Sequence, residues 1–174
     1  MRISNYVTGA VAAIAVLALA AGAYAQTMAK GGFADGQGKA LGSAELADAG
    51  GVVVVRLNLS GIAQGWHGLH LHAVGKCDGP DFMSAGGHFN PGARKHGHRV
   101  GEGAHAGDLP NVFAGADGKI TAEVLAHGVS LGAGANSLFD ADGSAIVVHA
   151  AEDDHKTDPT GNSGARIACA VVTR

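Results

Sequence analysis

Residues 54–59 read VVRLNL, so apolar side chains at 55, 57 and 59 alternate with polar ones at 56 and 58. Successive side chains of a β-strand point to opposite faces, and this alternation is typical of a strand with one buried face. Gly61 ends the pattern. Extended runs of a similar kind are predicted at 39–47, 65–73, 119–125, 145–149 and 165–172.

Turn signals between these runs support an all-β fold. Asp35-Gly36, Asp117-Gly118 and Asp142-Gly143 are typical of tight, hairpin-type turns. The chain is rich in Ala and Gly, but no segment keeps a helical apolar period with capping residues for about ten residues. We therefore predict an all-β domain, built as a two-sheet Greek-key β-sandwich or flattened barrel.

A second alternating stretch, GLHLH at residues 68–72, carries metal-binding side chains. On a strand, His70 and His72 share one face, roughly 7 Å apart along the backbone, while the two leucines point into a core. Two imidazoles in this arrangement can bind one metal ion. The alternative is a pair of exposed histidines on a strand face. A metal site is favoured because five more metal-binding side chains follow: His88, His96, His105, Asp108 and His149.

The segment from 77 to 109 is predicted to be one long irregular loop. Gly79-Pro80, Gly86-Gly87, Asn90-Pro91-Gly92 and four further glycines break any helical or strand period. A loop of this length is usually either functional or disordered. This one carries His88, His96, His105 and Asp108, and three imidazoles with one carboxylate can close a tetrahedral site of the structural zinc type. We therefore expect a metal ion to order the loop.

The N-terminal residues predict export. One positive charge at Arg2 precedes an apolar run at 7–23, and Ala23-Tyr24-Ala25 places small residues before Gln26. This pattern is typical of a secretory signal peptide at 1–25, cleaved near Ala25-Gln26 and followed by one domain at 26–174. The alternative is an uncleaved membrane anchor, for which the run is at the lower length limit. The sequence predicts a periplasmic protein with no membrane association once processed.

The net charge limits the classes of binding partner that are expected, and the cysteines bear on the redox state of the compartment. The formal net charge of −3 becomes −4 when Arg2 is removed, and scattered Lys and Arg offer no nucleic-acid footprint. The two cysteines, Cys77 and Cys169, both lie in the exported part. In an oxidising compartment they most simply form one bridge, although two buried thiols are the alternative.

Five segments, taken in order, resemble the copper/zinc superoxide dismutases, in particular the exported bacterial type. They are GLHLH at 68–72, HFNP at 88–91 running to Lys95-His96, HAGD at 105–108, VVH at 147–149, and GNSGAR at 161–166 followed by Cys169. The resemblance covers essentially the whole mature length. It implies a Greek-key sandwich with long metal-binding and electrostatic loops, dismutation of superoxide to O2 and hydrogen peroxide, and one copper and one zinc per chain.

The resemblance also implies the metal ligands. Copper would be bound by His70, His72, His88 and His149. Zinc would be bound by His88, His96, His105 and Asp108. His88 would then be a shared imidazolate with one metal on each nitrogen, and it could supply a proton to the substrate. His98 is the alternative to His96, because it follows two positions later, but the spacing from His88 favours His96.

Several further residues receive roles from the resemblance. Arg166 would capture the superoxide anion, since a guanidinium stays charged and offers a planar set of donors; the alternative is an ordinary strand-edge arginine. Asp153 would bond the far nitrogens of His70 and His96, as metal-bound histidines commonly require; the alternative is a solvated acidic run. Cys77 and Cys169 would pair. Thr160 would narrow the channel mouth, and two steering lysines are left unassigned, Lys95 and Lys156.

Two other classes of function use the same residues. An exported copper/zinc storage or delivery protein on this fold would need neither Arg166 nor a shared His88. A purely structural zinc domain would not need the additional histidines at 70, 72 and 149. The predicted small-molecule partner is superoxide, and a homodimer is compatible with the family although the sequence offers no signal of its own for one.

Overall fold

The computed structural model describes residues 27–174, so the predicted signal peptide at 1–25 and its cleavage point lie outside the described residues. Apart from one 3-10 turn at Met83–Ala85, the regular structure of this range consists of strands. The predicted all-β class is confirmed. In chain order the strands are β1 Met28–Ala34, β2 Ala40–Asp48, β3 Val52–Leu59, β4 Gly65–His67, β5 Leu69–His72, β6 Val112–Ala114, β7 Ile120–His127, β8 Ala145–His149 and β9 Arg166–Val171.

Seven strands form one antiparallel sheet in the order β5-β8-β9-β1-β2-β3-β7, and β4 pairs with β6 in a separate two-stranded sheet. The large sheet curls into a half-barrel. Strands distant in sequence pair near both of its ends, β3 with β7 and β5 with β8, as long Greek-key connections require. Within residues 27–174, no helix is long and apolar enough to cross a membrane.

The core is built by the alternation seen at residues 54–59. Val55, Leu57 and Leu59 of β3 are at most 2% exposed, and β7 supplies the facing residues in register. On the outer face, Arg56 Nε donates to Glu123 Oε2 at 2.7 Å, across the same pair of strands. Each buried aliphatic side chain contributes roughly 1.5–3 kcal/mol through removal from water. The inner face therefore stabilises the sheet, and the outer ion pair, fully exposed, adds little.

The predicted strand at 65–73 is divided into β4 and β5 at Gly68. Gly68 N–H donates to the carbonyl of Ala151 at 2.8 Å, and a Cβ at this position would lie 2.9 Å from Ser163 Cβ. The 150–165 loop therefore approaches the backbone between the two strands. As a result β4 joins the small sheet with β6, while β5 joins the large sheet with β8.

Two strands were not predicted, β1 and β6. The β1 sequence, MAKGGFA, has little intrinsic strand preference. It is a strand because β2 pairs along its full length, and because Ala29 and Phe33 are buried. Of the predicted turns, Asp35-Gly36 joins β1 to β2 and Asp117-Gly118 joins β6 to β7, whereas Asp142-Gly143 follows a long loop and not a strand.

The long irregular loop is confirmed, and it runs twice along the outer edge of β5. Leu71 N–H donates to the Gly107 carbonyl at 2.9 Å, and Phe89 N–H donates to the Leu71 carbonyl at 2.8 Å. A Cβ at Gly107 would overlap the Leu71 carbonyl, so this approach requires glycine. The exposed sheet edge is thereby covered. Two parts of the loop, one around 88 and one around 108, are placed directly beside β5.

The predicted disulfide is present. Cys77 and Cys169 are bonded with their Cα atoms 5.7 Å apart, which ties the start of the loop to β9 across a sequence separation of 92 residues. In the chain-entropy description, closing a loop of this length stabilises a fold by on the order of 4 kcal/mol.

Candidate metal centre

Two strands of the large sheet provide the base of the site. His70 and His72 on β5 are fully buried, and His149 at the end of β8 is 3% exposed. Leu69 and Leu71 alternate with the first two and enter the core, as predicted. All four β5 residues are buried because the loop covers the histidine face. Isolated bridges pair His72 with His88 and His70 with Asp108, which brings the loop residues to the same face.

The first group of potential metal ligands consists of His70, His72, His88 and His149, with one ring nitrogen from each lying within 4.8 Å of the others. The nitrogens His70 Nδ1, His72 Nε2, His88 Nε2 and His149 Nε2 are buried and have no hydrogen-bond partner. A buried polar atom without a partner costs roughly 1–3 kcal/mol. Four such atoms in one place fit a bound metal ion, which would satisfy all of them at once.

The opposite ring nitrogens orient these histidines. His72 Nδ1 bonds to the Gly86 carbonyl at 2.9 Å, and His149 Nδ1 bonds to the Gly164 carbonyl at 3.2 Å. A carbonyl only accepts, so each of these nitrogens carries the proton and leaves Nε2 with a free lone pair. A neutral imidazole held in this tautomer is a good metal ligand.

The second group consists of His88, His96, His105 and Asp108. The three Nδ1 atoms surround Oδ1 of Asp108, at 2.8 Å from His88 and 3.1 Å from each of the other two. The Nδ1 atoms of His88 and His105 are 3.3 Å apart. Tetrahedral zinc with bonds of about 2.0–2.1 Å separates its ligand atoms by roughly 3.3 Å. The donor set and its spacing therefore fit a zinc ion.

His88 belongs to both groups through different atoms. Its Nδ1 faces Asp108, and its Nε2 is one of the unpartnered nitrogens of the first group. The ring of His88 is buried, with its side chain 3% exposed. The two groups therefore share one imidazole.

Asp153 connects the two groups on their other side. It is 2% exposed, with Oδ2 at 2.6 Å from His70 Nε2 and Oδ1 at 3.0 Å from His96 Nε2. The predicted contacts of Asp153 are thus present. A Cβ at Gly161 would overlap Oδ1 of Asp153 and lie 2.6 Å from His96 Nε2. Gly161, with φ of 64°, accordingly leaves room for this carboxylate.

Burial sets the charge state of the first group. It lowers the pKa of His70 to about 4, that of His149 to about 3 and that of His72 to about 2. These rings are neutral at neutral pH and need not lose a proton before they bind a metal. Burial acts in the same direction on His88 and lowers its pKa as well.

The carboxylates dominate the second group. Burial by itself would lower the pKa of His96, but hydrogen bonds to Asp108 and Asp153 outweigh it and raise the pKa to about 9. Burial opposes ionisation of Asp108 too, yet hydrogen bonds from His88 and His96 hold its pKa well below the usual range. Asp153 behaves in the same way through His70 and His96. Both carboxylates are therefore negative and attract a cation.

Arg166 lies at the start of β9 beside the first group. Its guanidinium donates to the carbonyls of Phe82 and Gly86, both at 2.7 Å. The Gly86 carbonyl also accepts from His72, so the arginine and a metal-binding histidine share one anchor. A cleft opens here, lined among others by Asp81, Met83, His88, His149, Thr160 and Arg166.

The remaining candidates lie outside both groups. His98 is exposed, with Nε2 bonded to the Asp108 carbonyl at 3.0 Å and its ring 5.5 Å from that of His155. Lys95 pairs with Glu102 at 2.7 Å, and Lys156 is exposed. Sequence reasoning missed the main-chain acceptor at Gly86, which has no side-chain signal. It also missed Asn111, whose position three residues after Asp108 was the only available indication.

Comparison with known proteins places this geometry in one family. The family described as "Copper/zinc superoxide dismutase (SODC)" matches residues 40–172. "Superoxide dismutase [Cu-Zn]" of Caulobacter vibrioides is 49% identical over 140 residues, which cover 79% of this chain and 80% of the relative. "Superoxide dismutase [Cu-Zn] 1" of Aquifex aeolicus is 46% identical over 138 residues, covering 78% and 82%.

A solved structure agrees. A crystal structure of a SOD-like protein from Bacillus subtilis superposes with a TM-score of 0.77 at 40% identity, covering 81% of this chain and 95% of that one. The matched range of the family includes both ligand groups, Asp153 and Arg166. Copper and zinc are therefore the cofactors, superoxide is the substrate, and the protein is an oxidoreductase that dismutes it. The chain belongs to the copper/zinc superoxide dismutase family.

Proposed function

We propose that the two ligand groups divide the metals between them, with copper in the first and zinc in the second. The first group offers four imidazole nitrogens, which suit copper, and two of its members, His88 and His149, line the cleft. The second offers three nitrogens and a carboxylate oxygen, a donor set that suits a structural zinc. The two buried ring nitrogens of His88, one in each group, are the observation that carries this assignment.

Bound copper supplies the one-electron chemistry by which one superoxide is oxidised to O2 and a second is reduced to hydrogen peroxide. The second half-reaction consumes two protons. With zinc held at Nδ1, Nε2 of His88 would carry one of them when copper is not held there, and His88 lines the cleft where substrate arrives. Nδ1 would meanwhile hold the zinc beside Asp108 and so keep the ring oriented. The other proton comes from solvent.

Arg166 captures and orients the substrate anion. Two loop carbonyls restrain its guanidinium, so little side-chain freedom remains to be lost when superoxide binds. The same carbonyl of Gly86 orients His72. This shared acceptor fixes the position of the anion-binding guanidinium relative to a copper ligand. A storage or delivery protein would have no use for this arrangement, and that alternative is not favoured.

We further propose that residues 1–25 direct export to the periplasm and are removed near Ala25-Gln26. The Cys77–Cys169 bridge supports this, since disulfides persist in oxidising compartments. N-terminal sequencing of the protein recovered from the periplasm of a Gram-negative host should begin near Gln26. Recovery of the uncleaved chain with the membranes would support the anchor instead.

A homodimer is the assembly that we propose, through the outer face of the small sheet. Trp66 of β4 and Phe113 of β6 are paired across the strands and are 53% and 48% exposed, with ring centroids 5.2 Å apart. Exposed aromatic residues of this kind are enriched at protein interfaces. Sedimentation of the wild type should give a dimer, and Trp66→Glu should give a monomer with both metals retained. A monomeric wild type would exclude this proposal.

The metal assignment is tested on the purified mature protein and two single variants. The wild type should contain one copper and one zinc and should dismute superoxide. His72→Ala removes a ligand of the first group only, so copper and activity should be lost while zinc stays. His105→Ala removes a ligand of the second group only, so zinc retention should fall first. The opposite pattern of metal loss would reverse the assignment.

A further inference from the structure

The side-chain amide of Asn111 binds both the N–H and the carbonyl of Asp153. Its Nδ2 donates to the Asp153 carbonyl at 2.8 Å, and its Oδ1 accepts from the Asp153 N–H at 2.8 Å. Because one side-chain amide bonds both main-chain groups of Asp153, the two hydrogen bonds fix the position of the Asp153 backbone and hence the direction of its side chain. We call this pair of bonds the Asn111 clamp.

The clamp joins two loops that are far apart in sequence. Asn111 follows Asp108 by three residues, at the end of the metal-binding loop, whereas Asp153 belongs to the loop between β8 and β9. The carboxylate of Asp153 reaches His70 of the first group and His96 of the second. A shift of the Asp153 backbone would therefore lengthen two hydrogen bonds, one in each group.

Other contacts of Asp153 do not replace the clamp. The N–H of His155 donates to Oδ1 at 2.6 Å, but His155 is on the same loop and would move with it. Gly161 only leaves space for the carboxylate. Within residues 27–174, the hydrogen bonds that join the Asp153 main chain to a residue outside the 150–165 loop are the two from Asn111.

We propose that Asn111 is a positioning residue that sets how firmly the second group retains zinc, by holding Asp153 against His96. This rests on the proposed assignment of zinc to that group. Loss of a partner that orients a metal-bound histidine typically costs 10- to 100-fold in metal affinity. Asn111 touches neither metal group directly, so its effect must pass through Asp153.

The chain contains a matched control. Asn90 makes the same pair of bonds to the main chain of Arg94, with Nδ2 at 2.8 Å from the Arg94 carbonyl and Oδ1 at 3.0 Å from the Arg94 N–H. It lies in the same metal-binding loop but has no bond to Asp153. Asn90→Ala therefore measures the effect of loosening this loop in general.

The experiment follows zinc transfer from the metal-loaded protein to a chromogenic chelator. Asn111→Ala should lose zinc about 10- to 100-fold faster than the wild type, as expected for an orienting partner. Asn90→Ala should stay within about threefold, because the carboxylate–histidine pair is intact. In cobalt-substituted protein, Asn111→Ala should also change the visible spectrum of the second group, while Asn90→Ala should not.

A double-variant cycle tests the route of the effect. In an Asp153→Ala background, Asn111→Ala should add less than about twofold to the rate of zinc loss, since the interacting partner is already gone. Full additivity, or equal zinc loss in Asn111→Ala and Asn90→Ala, would overturn the proposal. If Asn111→Ala does not fold, the isosteric Asn111→Asp, which keeps the acceptor and removes the donor, should give an intermediate rate; a wild-type rate there would also overturn it.

Failure of the zinc assignment and failure of the clamp give different results in these experiments. A wild-type protein that binds no zinc, or binds zinc elsewhere than at His96, would contradict the zinc assignment itself. A wild type that binds zinc at His96 and releases it at the same rate with or without Asn111 would contradict the clamp alone.

Discussion

The curled sheet and the loops at 73–111 and 150–165 are stabilised in opposite ways. The sheet buries apolar side chains on one face, as along β3, where Val53, Val55, Leu57 and Leu59 are at most 2% exposed. Polar side chains are buried where the loops cover β5 and the end of β8: nearly all the buried histidines and aspartates belong to the two metal groups or contact them, with His70, His72 and His149 contributed by the strands and the others mainly by the loops. The apolar face of the sheet is therefore stable without a ligand, whereas the loops and the histidine face that they cover need bound metal to satisfy their polar groups.

The energetic consequence differs between the two regions. Burial of each aliphatic side chain in the sheet is favourable by roughly 1.5–3 kcal/mol whether or not metal is present. The unpartnered nitrogens of His70, His72, His88 and His149 each cost roughly 1–3 kcal/mol until a metal satisfies them. Metal binding thus stabilises the loops together with the β5 and β8 histidines beneath them, and removal of metal should affect this part of the molecule first.

Acidification of the metal-free protein should have the largest effect. Burial lowers the pKa of His70 to about 4, that of His149 to about 3 and that of His72 to about 2. These folded-state pKa values lie below the ordinary value of about 6.5. The contribution of the three histidines to the free energy of unfolding is therefore fully present above about pH 6.5 and is lost as the pH falls toward about 4. Each histidine contributes about 1.4 kcal/mol per pH unit in this window, because the unfolded chain takes up a proton that the folded protein does not.

Urea unfolding of metal-free protein at pH 7, 6 and 5 measures this. His96 does not offset the loss, since its raised pKa of about 9 makes its own contribution complete below pH 6.5. A free energy of unfolding that stays constant from pH 7 to pH 5 would show that these rings are not buried as neutral groups.

Metal removal should separate the two regions most clearly. A metal present at a hundred times its dissociation constant stabilises the state that binds it by about 2.7 kcal/mol, or roughly 100-fold in opening. Hydrogen exchange of amides in the loop, such as Phe89 and Gly107, should accelerate by about that factor after chelation. Amides of β2 and β3 should change little. Equal acceleration in both regions would mean that the sheet also depends on the metals.

Replacement of Arg166 should affect activity without affecting metal content. Arg166→Ile removes the cation that attracts superoxide, and the dismutation rate should fall by about tenfold or more; removal of one charge-stabilising donor from an active site typically costs about 100- to 1,000-fold. Arg166→Lys retains the charge without the fork to Phe82 and Gly86, so it should retain part of the rate. Loss of either metal from Arg166→Ile would assign the residue a structural role.

The smallest effect is expected at His98. It contacts the main chain of Asp108 from outside the second group, so His98→Ala should keep wild-type zinc content after dialysis against a weak chelator. His96→Ala should lose zinc and become more sensitive to proteolysis between 86 and 108, since its Nδ1 lies 3.1 Å from Asp108 Oδ1. Zinc retained by His96→Ala and lost by His98→Ala would reverse the choice between them.

The sequence predicted the parts of the molecule that depend on local pattern. Alternation at 54–59 predicted the buried face of β3, and GLHLH at 68–72 predicted that His70 and His72 share a face opposite two core leucines. The ligand groups followed from the order of five motifs, by resemblance. Each of these features depends on the types of side chain at positions close together in the sequence.

The parts that were missed depend on long-range pairing or on main-chain atoms. Strand β1 forms because it pairs with β2 along its full length, although the sequence MAKGGFA has little intrinsic preference for a strand. The break at Gly68 comes from the approach of the 150–165 loop. The Gly86 carbonyl that holds both His72 and Arg166 has no side chain to recognise, and the Asn111 clamp acts on a backbone 42 residues away.

The central claim is that one imidazole, His88, joins two adjacent metals. It is tested most directly by electron paramagnetic resonance of protein that carries Cu(II) in the first group and Co(II) in the second. A shared imidazolate couples the two spins, so the Cu(II) signal should be strongly diminished in the wild type and should return when His88→Ala is loaded with the same metals. A full, uncoupled Cu(II) signal in the wild type, with both metals shown to be bound, would contradict the account.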